Sequence, residues 1–194
     1  MDTGWNDASV ASINCREQLP LLLNQLGLCG VAVEVGVEWG RFSDHILRYW
    51  QGRMLYSVDP WDSQPLHRYS DLCNVPPQEQ EVRFRCAGAL LASHGPRSRI
   101  LRAYSVQASQ GFPNASIDCV YLDGNHAYQS VMADLANWYP KMRPGGLMCG
   151  HDYVDGVGDA VYGVKSAVDL FFSRLGRSVH VTREPVAKSW LVRV

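Results

Sequence analysis

Aspartates and histidines that could bind a cation or move a proton lie at the ends of several short apolar runs in this sequence. Asp59, Asp123 and Asp152 each end such a run, and His126 and His151 lie within three residues of two of these aspartates. A carboxylate can accept hydrogen bonds or coordinate a divalent ion. A neutral imidazole can take up a proton near pH 7. These five residues are therefore the first candidates for a reactive site.

A glycine-bearing turn is the second feature with chemical meaning. Residues 34–40 read Glu-Val-Gly-Val-Glu-Trp-Gly, which fits the spacing E-x-G-x-x-x-G. Gly36 would let the backbone turn sharply and approach a ligand, and Gly40 would let a following helix pack closely. A dinucleotide-binding turn would carry a glycine where this sequence has Glu38, and an acid there would repel a pyrophosphate. The turn therefore favours a neutral or cationic ligand.

The elements that must position these residues alternate between strands and helices. Runs of apolar and β-branched residues predict strands at 31–35, 54–58, 100–101, 117–122, 147–149, 179–181 and 190–194. Helical periodicity and end signals predict helices within 19–27, 42–50, 78–93, 128–138 and 164–175. Since ligands of open α/β sheets bind beyond the carboxyl ends of the strands, the strand-end acids are expected to face a ligand.

Composition limits the class of protein. The chain has 194 residues, 46% hydrophobic and 19% charged, which predicts one globular domain over 1–194. A formal charge of -1 argues against a nucleic-acid-binding surface over the whole chain. No apolar run approaches the ~20 residues of a membrane span, and the first residues show no export signal, so a cytoplasmic protein is expected.

Two stretches of the domain are less regular. Residues 1–28 are expected to form an N-terminal helical segment. Residues 61–97 are punctuated by prolines and are expected to form a lid and acceptor-binding region, to which Tyr69 and Phe84 could contribute.

The order of the motifs resembles that of the class I S-adenosylmethionine-dependent methyltransferases. The resemblance spans residues 31–194 and rests on the glycine turn, on Asp59 and on the segments 118–128, 138–140, 144–146 and 151–153. The last two segments are most similar to the small-molecule O-methyltransferase branch. The resemblance implies a Rossmann-like, doubly wound α/β fold with a seven-stranded sheet of order 3-2-1-4-5-7-6. That sheet is mostly parallel, with the last strand antiparallel and helices on both faces.

The resemblance also implies a cofactor site for S-adenosylmethionine. Glu34 would face the ammonium group of its methionine moiety, and Gly36, Gly40 and Asp123 would line the cofactor. Asp59 would accept hydrogen bonds from both ribose hydroxyls, because an ionised carboxylate has two acceptor oxygens.

Two further residues are implied contacts of the adenine ring. Trp61 could cover the ring with an apolar face, although a tryptophan of the core or of a lid fits the sequence equally well. Ser105 lies where the family often contacts adenine.

In the strand order of that family, Asp123 and Asp152 end neighbouring strands about 4.8 Å apart. Two carboxylates so close repel each other unless one is protonated or a cation lies between them. We therefore expect a divalent cation, magnesium or manganese, at Asp123, His151 and Asp152. His151 stands where metal-dependent relatives commonly have an acid, so a softer transition ion, or a metal-free site with a histidine as base, is also open.

The catalytic candidates are His151 and His126, of which His151 is preferred. His151 is adjacent to a strand end, where the sheet fixes its backbone. His126 begins a helix, where a side chain often bonds to local backbone groups.

The expected function is methyl transfer from S-adenosylmethionine to a small molecule, at a hydroxyl group, without a nucleic-acid or membrane partner and with homo-oligomerisation left open. The alternatives are a non-catalytic S-adenosylmethionine-binding or interaction protein, and a nucleotide-dependent enzyme on a similar sheet.

Overall fold

A central β-sheet carries the strand ends at which the polar residues lie. The computed structural model describes residues 13–65, 69, 71–157 and 160–194. The strands are β1 (Val31–Val35), β2 (Met54–Asp59), β3 (Ser98–Arg102), β4 (Ile117–Leu122), β5 (Met142–Gly150), β6 (Asp155–Val157), β7 (Ala160–Gly163), β8 (His180–Val181) and β9 (Trp190–Arg193). The α-helices are α1 (Leu19–Gln25), α2 (Arg41–Tyr49), α3 (Pro77–Leu91), α4 (Ser105–Ser109), α5 (Tyr128–Trp138) and α6 (Val164–Arg174).

Within the described residues, seven strands form one sheet in the order β3-β2-β1-β4-β5-β9-β8. The strands β1 to β5 pair in parallel, β9 is antiparallel to β5, and β8 is antiparallel to β9. When the separate hairpin of β6 and β7 is left out of the numbering, this is the expected order 3-2-1-4-5-7-6. The Rossmann-like α/β fold is therefore confirmed.

Helices cover both faces of the sheet because its central strands are apolar on both sides. Every residue of β4 is buried, and successive side chains of a strand point to opposite faces. Tyr121 belongs to one buried cluster with Leu47 of α2. Its neighbour Val120 belongs to another with Trp138 of α5 and Phe172 of α6. None of the helices in the described ranges is both long and apolar enough to cross a bilayer.

The structure differs from the predicted elements at three places. The hairpin of β6 and β7 was not predicted, since two such short strands leave no alternating pattern of useful length. Strand β5 begins at Met142 and continues through the Pro144-Gly145-Gly146 segment, where its register against β4 shifts. Helix α4, which begins at Ser105, was not predicted.

The two less regular stretches are described in part. In the N-terminal segment the described residues form a short 3-10 turn, Arg16–Gln18, followed by α1. The predicted lid region divides into a loop and α3. Phe84 of α3 packs against Trp61, with the rings tilted and their centroids 5.0 Å apart, and does not line the cavity described below. The remaining parts of these predictions, residues 1–12, 66–68 and 70, lie outside the described residues.

Gly36 lets the ends of β1 and β4 come together. Its φ of 87° lies in the left-handed region, and a Cβ added to it would lie 1.9 Å from the carbonyl oxygen of Asp123. The Asp123 amide donates a 2.7 Å hydrogen bond to the Val35 carbonyl. A side chain at Gly36 would therefore separate the strand ends that carry Glu34 and Asp123.

Gly36→Ala should lower the free energy of unfolding by about 3 kcal/mol or more, because it combines an unfavourable φ with a backbone overlap. Gly176→Ala is the matched control. Its φ is 63°, and an added Cβ would have no neighbour within 4 Å, so only the conformational cost of about 1–2 kcal/mol is expected. Urea unfolding measures both, and equal losses would contradict the proposed overlap.

Candidate functional site

A cavity of about 630 Å³ opens at the carboxyl ends of β1, β2 and β4. This volume is typical of small-molecule sites. The residues selected from the sequence that line it are Glu34, Gly36, Asp59, Tyr69, Ser105, Asp123, His126 and Asp152. Three others, Gly40, Trp61 and His151, are not part of its lining.

Glu34 is a buried acid in the wall of this cavity. Its side chain accepts a hydrogen bond from the hydroxyl of Ser43, which in turn lies 2.7 Å from the hydroxyl of Ser57. Burial raises the pKa of Glu34 to about 8, and the charges of Asp123 and Asp59 act in the same direction. A cationic group beside Glu34 would reverse this effect by favouring the carboxylate.

This burial predicts a pH-dependent stability. Folded Glu34 keeps its proton up to about pH 8, whereas its ordinary pKa is 4.5. The folded state therefore binds more protons than the unfolded state, and its contribution to stability is lost as the pH rises from about 5 to 8. Glu34→Gln should remove on the order of 4 kcal/mol of this decline between pH 5 and pH 9. Denaturant unfolding at pH 5 and pH 9 measures it, and a slope like that of the wild type would contradict the burial of an acid there.

Asp59 holds the glycine turn in place. One of its carboxylate oxygens accepts hydrogen bonds from the amides of Val37, at 2.8 Å, and Glu38, at 3.0 Å. The other accepts one from the Trp61 amide at 2.7 Å. Because a carboxylate offers about four acceptor positions, these bonds leave about one for a ligand. The ribose contact expected of Asp59 stays a prediction. The free position would accept a hydrogen bond from one ribose hydroxyl, whereas the sequence suggested bonds from both.

Gly40 and Trp61 pack against neighbouring elements of the fold and do not line the cavity. Gly40, with a φ of 79°, precedes α2, and a Cβ on it would lie 3.2 Å from Ala87 of α3. This agrees with the close packing expected of that glycine, but not with a place in the cavity wall. Trp61 is buried, and its indole N–H donates a 2.8 Å hydrogen bond to the Glu38 carbonyl. Of the two roles open from the sequence, the structure favours the core tryptophan over an adenine cover.

Asp123, His126 and Asp152 form what we call the acid–histidine cluster. Nε2 of His126 lies 3.2 Å from Oδ2 of Asp152 and 3.6 Å from Oδ1 of Asp123. Ligand atoms of the three residues all lie within 4.8 Å of one another. Nε2 is buried and, among the described residues, has no well-aligned hydrogen-bond partner. Asp152 has a φ of 48°, a conformation that is rare outside glycine and common at functional sites.

Asp71 and Tyr162 hold the other side of the His126 ring, and neither was identified from the sequence. Nδ1 of His126 lies 2.8 Å from Oδ2 of Asp71, and the Tyr162 hydroxyl donates to the same oxygen at 2.9 Å. The ring of Tyr162 stacks on that of His126 with centroids 4.6 Å apart. Asp71 comes from the loop of the lid region and Tyr162 from β7. Their separation in sequence leaves no local pattern by which they could have been found.

The cluster carries an excess of negative charge. Burial lowers the pKa of His126, but the carboxylates of Asp123, Asp152 and Asp71 outweigh it and raise that pKa to about 11. Burial raises the pKa of Asp152, and the imidazoles of His126 and His151 reverse this and bring it well below its ordinary value. Arg16 adds a cation, with a guanidinium nitrogen 3.1 Å from Oδ2 of Asp123.

His151 lies behind the cluster. Its Nδ1 is 3.2 Å from Oδ2 of Asp152 and 3.7 Å from Oδ1 of Asp123. It faces a narrow space that Val164 and Trp190 also line, not the large cavity. Only His126 reaches the cavity. The geometry therefore favours His126 as the catalytic histidine, whereas the sequence favoured His151.

Comparison with known proteins identifies the family. The profile of the family described as "Methyltransferase domain" matches residues 33–153, more than half of the chain. The chain belongs to this methyltransferase family. The matched range of the methyltransferase begins in β1 and ends just after the acid–histidine cluster, so it contains the glycine turn, Asp59 and the whole cluster.

Solved structures share the fold of this methyltransferase. A candidate rRNA methylase from Clostridium thermocellum has a TM-score of 0.65 at 10% identity and covers 93% of this chain and 95% of its own. A candidate caffeoyl-CoA O-methyltransferase from Staphylococcus aureus has a TM-score of 0.64 at 11% identity, with 92% and 82% covered. The 1,6-didemethyltoxoflavin-N1-methyltransferase of Burkholderia thailandensis, with bound S-adenosylhomocysteine, has a TM-score of 0.57 at 16% identity, with 92% and 76% covered. At identities this low, the structural similarity shows that these proteins share a fold and no more than that.

A curated relative matches only a short stretch. The Sinorhizobium fredii protein y4gI is 38% identical over 55 residues, which are 28% of this chain and 6% of that protein. The chain therefore spans a small part of the length of this relative.

Proposed function

We propose that this protein transfers the methyl group of S-adenosylmethionine to a hydroxyl group of a small molecule. The observation that carries the proposal is the acid–histidine cluster, Asp123, His126 and Asp152, which opens on the same cavity as Glu34 and Asp59. Acids for a cationic ligand and groups for activating an acceptor thus meet in one space.

The residues present fit S-adenosylmethionine. Glu34 is a buried acid that the nearby charge of Arg16 only partly compensates, which suits an incoming ammonium group. Asp59 keeps one acceptor position for a ribose hydroxyl. When bound, S-adenosylmethionine supplies a methyl group on a reactive sulfonium. The protein then has mainly to align the acceptor with that methyl group and exclude water.

The acid–histidine cluster fits a divalent cation. Three carboxylates, those of Asp71, Asp123 and Asp152, surround one imidazole, so they carry more charge than Arg16 and the protonated His126 balance, and a bound cation would take the place of the proton on His126. Histidines that bind metals commonly donate their other ring N–H to a carboxylate, as the His126–Asp71 contact would. Asp123, His126 and Asp152 would hold manganese or magnesium, which would lower the pKa of an acceptor hydroxyl. This set differs from the one proposed from the sequence by His126 in place of His151.

The lid loop suits a small acceptor. Gln64, Tyr69, Leu72 and Cys73 of this loop line the cavity, and Asp71 joins the loop to the cluster. Since the same cavity of about 630 Å³ must hold cofactor and acceptor, the space left for the acceptor is limited. More acidic than basic side chains line it, which disfavours nucleic-acid phosphates as partners.

A methyl-transfer screen tests the proposal. Purified protein and isotope-labelled S-adenosylmethionine are incubated with hydroxyl-bearing small molecules, matched amines and an RNA pool, each with and without manganese. We expect labelled product from a hydroxyl-bearing small molecule. Labelling of amines or RNA alone would contradict the proposed acceptor. Binding of S-adenosylhomocysteine without any transfer would support a non-catalytic protein, and binding of a nicotinamide nucleotide instead would support the nucleotide-dependent alternative.

A further inference from the structure

The lid loop, residues 60–76 between β2 and α3, is braced by hydrogen bonds within itself. The Asn74 side chain accepts one from the Gln64 amide at 2.9 Å. It donates to the carbonyls of Gln64, at 2.8 Å, and Tyr69, at 2.7 Å. Compact loops that are held by their own side chains are frequently functional. Bonds of this kind keep the shape of the loop, so its position over the cavity depends on its contacts with other elements.

Asp71 joins this loop to the opposite wall of the cavity. Its side chain is only 4% exposed, and Oδ1 accepts a 2.9 Å hydrogen bond from the Cys73 amide of the loop itself. Oδ2 accepts from two groups outside the loop, Nδ1 of His126 at 2.8 Å and the Tyr162 hydroxyl at 2.9 Å. A carboxylate is costly to bury unless donors of this kind satisfy it. His126 and Tyr162 therefore hold Asp71, and the loop with it, against the wall.

The two partners of Asp71 belong to elements that are packed on each other. The Gly163 amide of β7 donates a 2.9 Å hydrogen bond to the His126 carbonyl. A Cβ added to Gly163 would lie 2.6 Å from the Cβ of Tyr128, so the hairpin of β6 and β7 rests directly on the start of α5. An opening of the cavity on this side would therefore move the lid loop and leave His126 and Tyr162 in place.

The contact with Asp71 also fixes which nitrogen of His126 faces the acid–histidine cluster. An ionised carboxylate has no donor, so Nδ1 of His126 must carry the proton of their hydrogen bond. Nε2 is then directed to Asp152 and Asp123, as a metal ligand of this cluster requires. A carboxylate on the second ring nitrogen orients a metal-binding histidine and makes it a better ligand. His126 has this partner only while the loop is closed.

We propose that Asp71 is a positioning residue that links closure of the lid loop to cation binding in the acid–histidine cluster. The inference rests on the proposed function, which places the cation at Nε2 of His126. Because the closed loop supplies Asp71 to His126, the closed state binds the cation more tightly than the open state. Linkage is reciprocal, so the bound cation favours the closed loop by the same factor. The cation would thereby help to close the cavity over an acceptor and exclude water.

Two measurements without turnover test this link. Calorimetry gives the affinity for manganese, and hydrogen exchange gives the protection of the lid-loop amides with and without manganese. In the wild type, saturating manganese should slow the exchange of these amides by about tenfold to a hundredfold, which is the factor expected for loss of a carboxylate behind a metal-binding histidine.

Asp71→Asn should break the contact on one side. Its amide NH₂ would meet either the Cys73 amide or the donors of His126 and Tyr162, since both carboxylate oxygens of Asp71 are acceptors. The affinity for manganese should fall by about tenfold to a hundredfold, and manganese should change the exchange of the loop by less than about threefold. Asp62→Asn is the matched control. Asp62 is an exposed acid of the same loop, bonded to the Tyr104 hydroxyl, and its variant should respond to manganese as the wild type does.

Exchange of the lid loop that is the same with and without manganese in the wild type would overturn the link. Wild-type manganese affinity in folded Asp71→Asn would overturn it as well, and if that variant does not fold, the wild-type exchange decides alone. Failure of the proposed function looks different. A protein that binds manganese and protects the loop but transfers no methyl group refutes the proposed reaction and supports the link. A protein that transfers methyl groups but binds no manganese refutes the link and leaves the transfer itself standing.

Discussion

His126→Ala should lower the rate of methyl transfer by about a hundredfold or more and leave the affinity for S-adenosylhomocysteine within about threefold. His126 is the histidine whose free nitrogen faces both carboxylates of the cluster and whose other nitrogen is held by Asp71. Nε2 would be a ligand of the cation that activates the hydroxyl, so its loss removes one of the three groups proposed to hold that cation. Single-turnover rates with an acceptor from the screen measure the effect.

His151→Ala is the matched control, since it removes an imidazole that contacts the same Asp152 from outside the cavity. Its rate should stay within about fivefold of the wild type, which is well short of the effect of a catalytic group. Thermal unfolding of both variants shows whether they keep the fold. If His151→Ala has the larger effect on rate, the preference that the sequence suggested is correct and the geometric argument for His126 is wrong.

Removal of divalent ions should lower the rate by about a hundredfold or more, and manganese or magnesium should restore it. Affinity for S-adenosylhomocysteine should change little, because Glu34 and Asp59, which would bind the cofactor, are not among the proposed metal ligands. The measurement compares the rate and the calorimetric affinity before and after exhaustive chelation.

Asp152→Asn tests where such an ion binds. The amide keeps the shape of the carboxylate but removes a charge from the cluster. Added metal should therefore no longer restore the rate of methyl transfer, or should restore it only at a metal concentration about tenfold to a hundredfold higher. Asp62→Asn, from the exposed rim of the cavity, should respond to metal as the wild type does. Full activity after chelation, with no metal found by elemental analysis, would contradict a metal-assisted reaction.

Local patterns in the sequence predicted the strands of the sheet and the edge of the sheet at which the site lies. The strands 31–35 and 117–122 were predicted with the bounds they have, because β-branched and apolar runs ended by glycine or aspartate allow little else. Parallel strands bring their carboxyl ends to one edge, so Asp59, Asp123 and Asp152 had to meet near a common cavity. The strand order itself came from the resemblance of the motifs to a known family.

Side-chain direction and long-range contacts were decided only by the tertiary structure. His126 and His151 are both next to strand ends, and which of them reaches the cavity depends on loop dihedral angles such as the positive φ of Asp152. Asp71 meets His126 across 55 residues of chain. A sequence pattern reports the period of an element and where it ends. The partner of a polar side chain is set by the packing of elements far apart in the chain. For this reason the sequence alone determined which edge of the sheet binds a ligand. The tertiary structure decided which residues at that edge can act on the ligand.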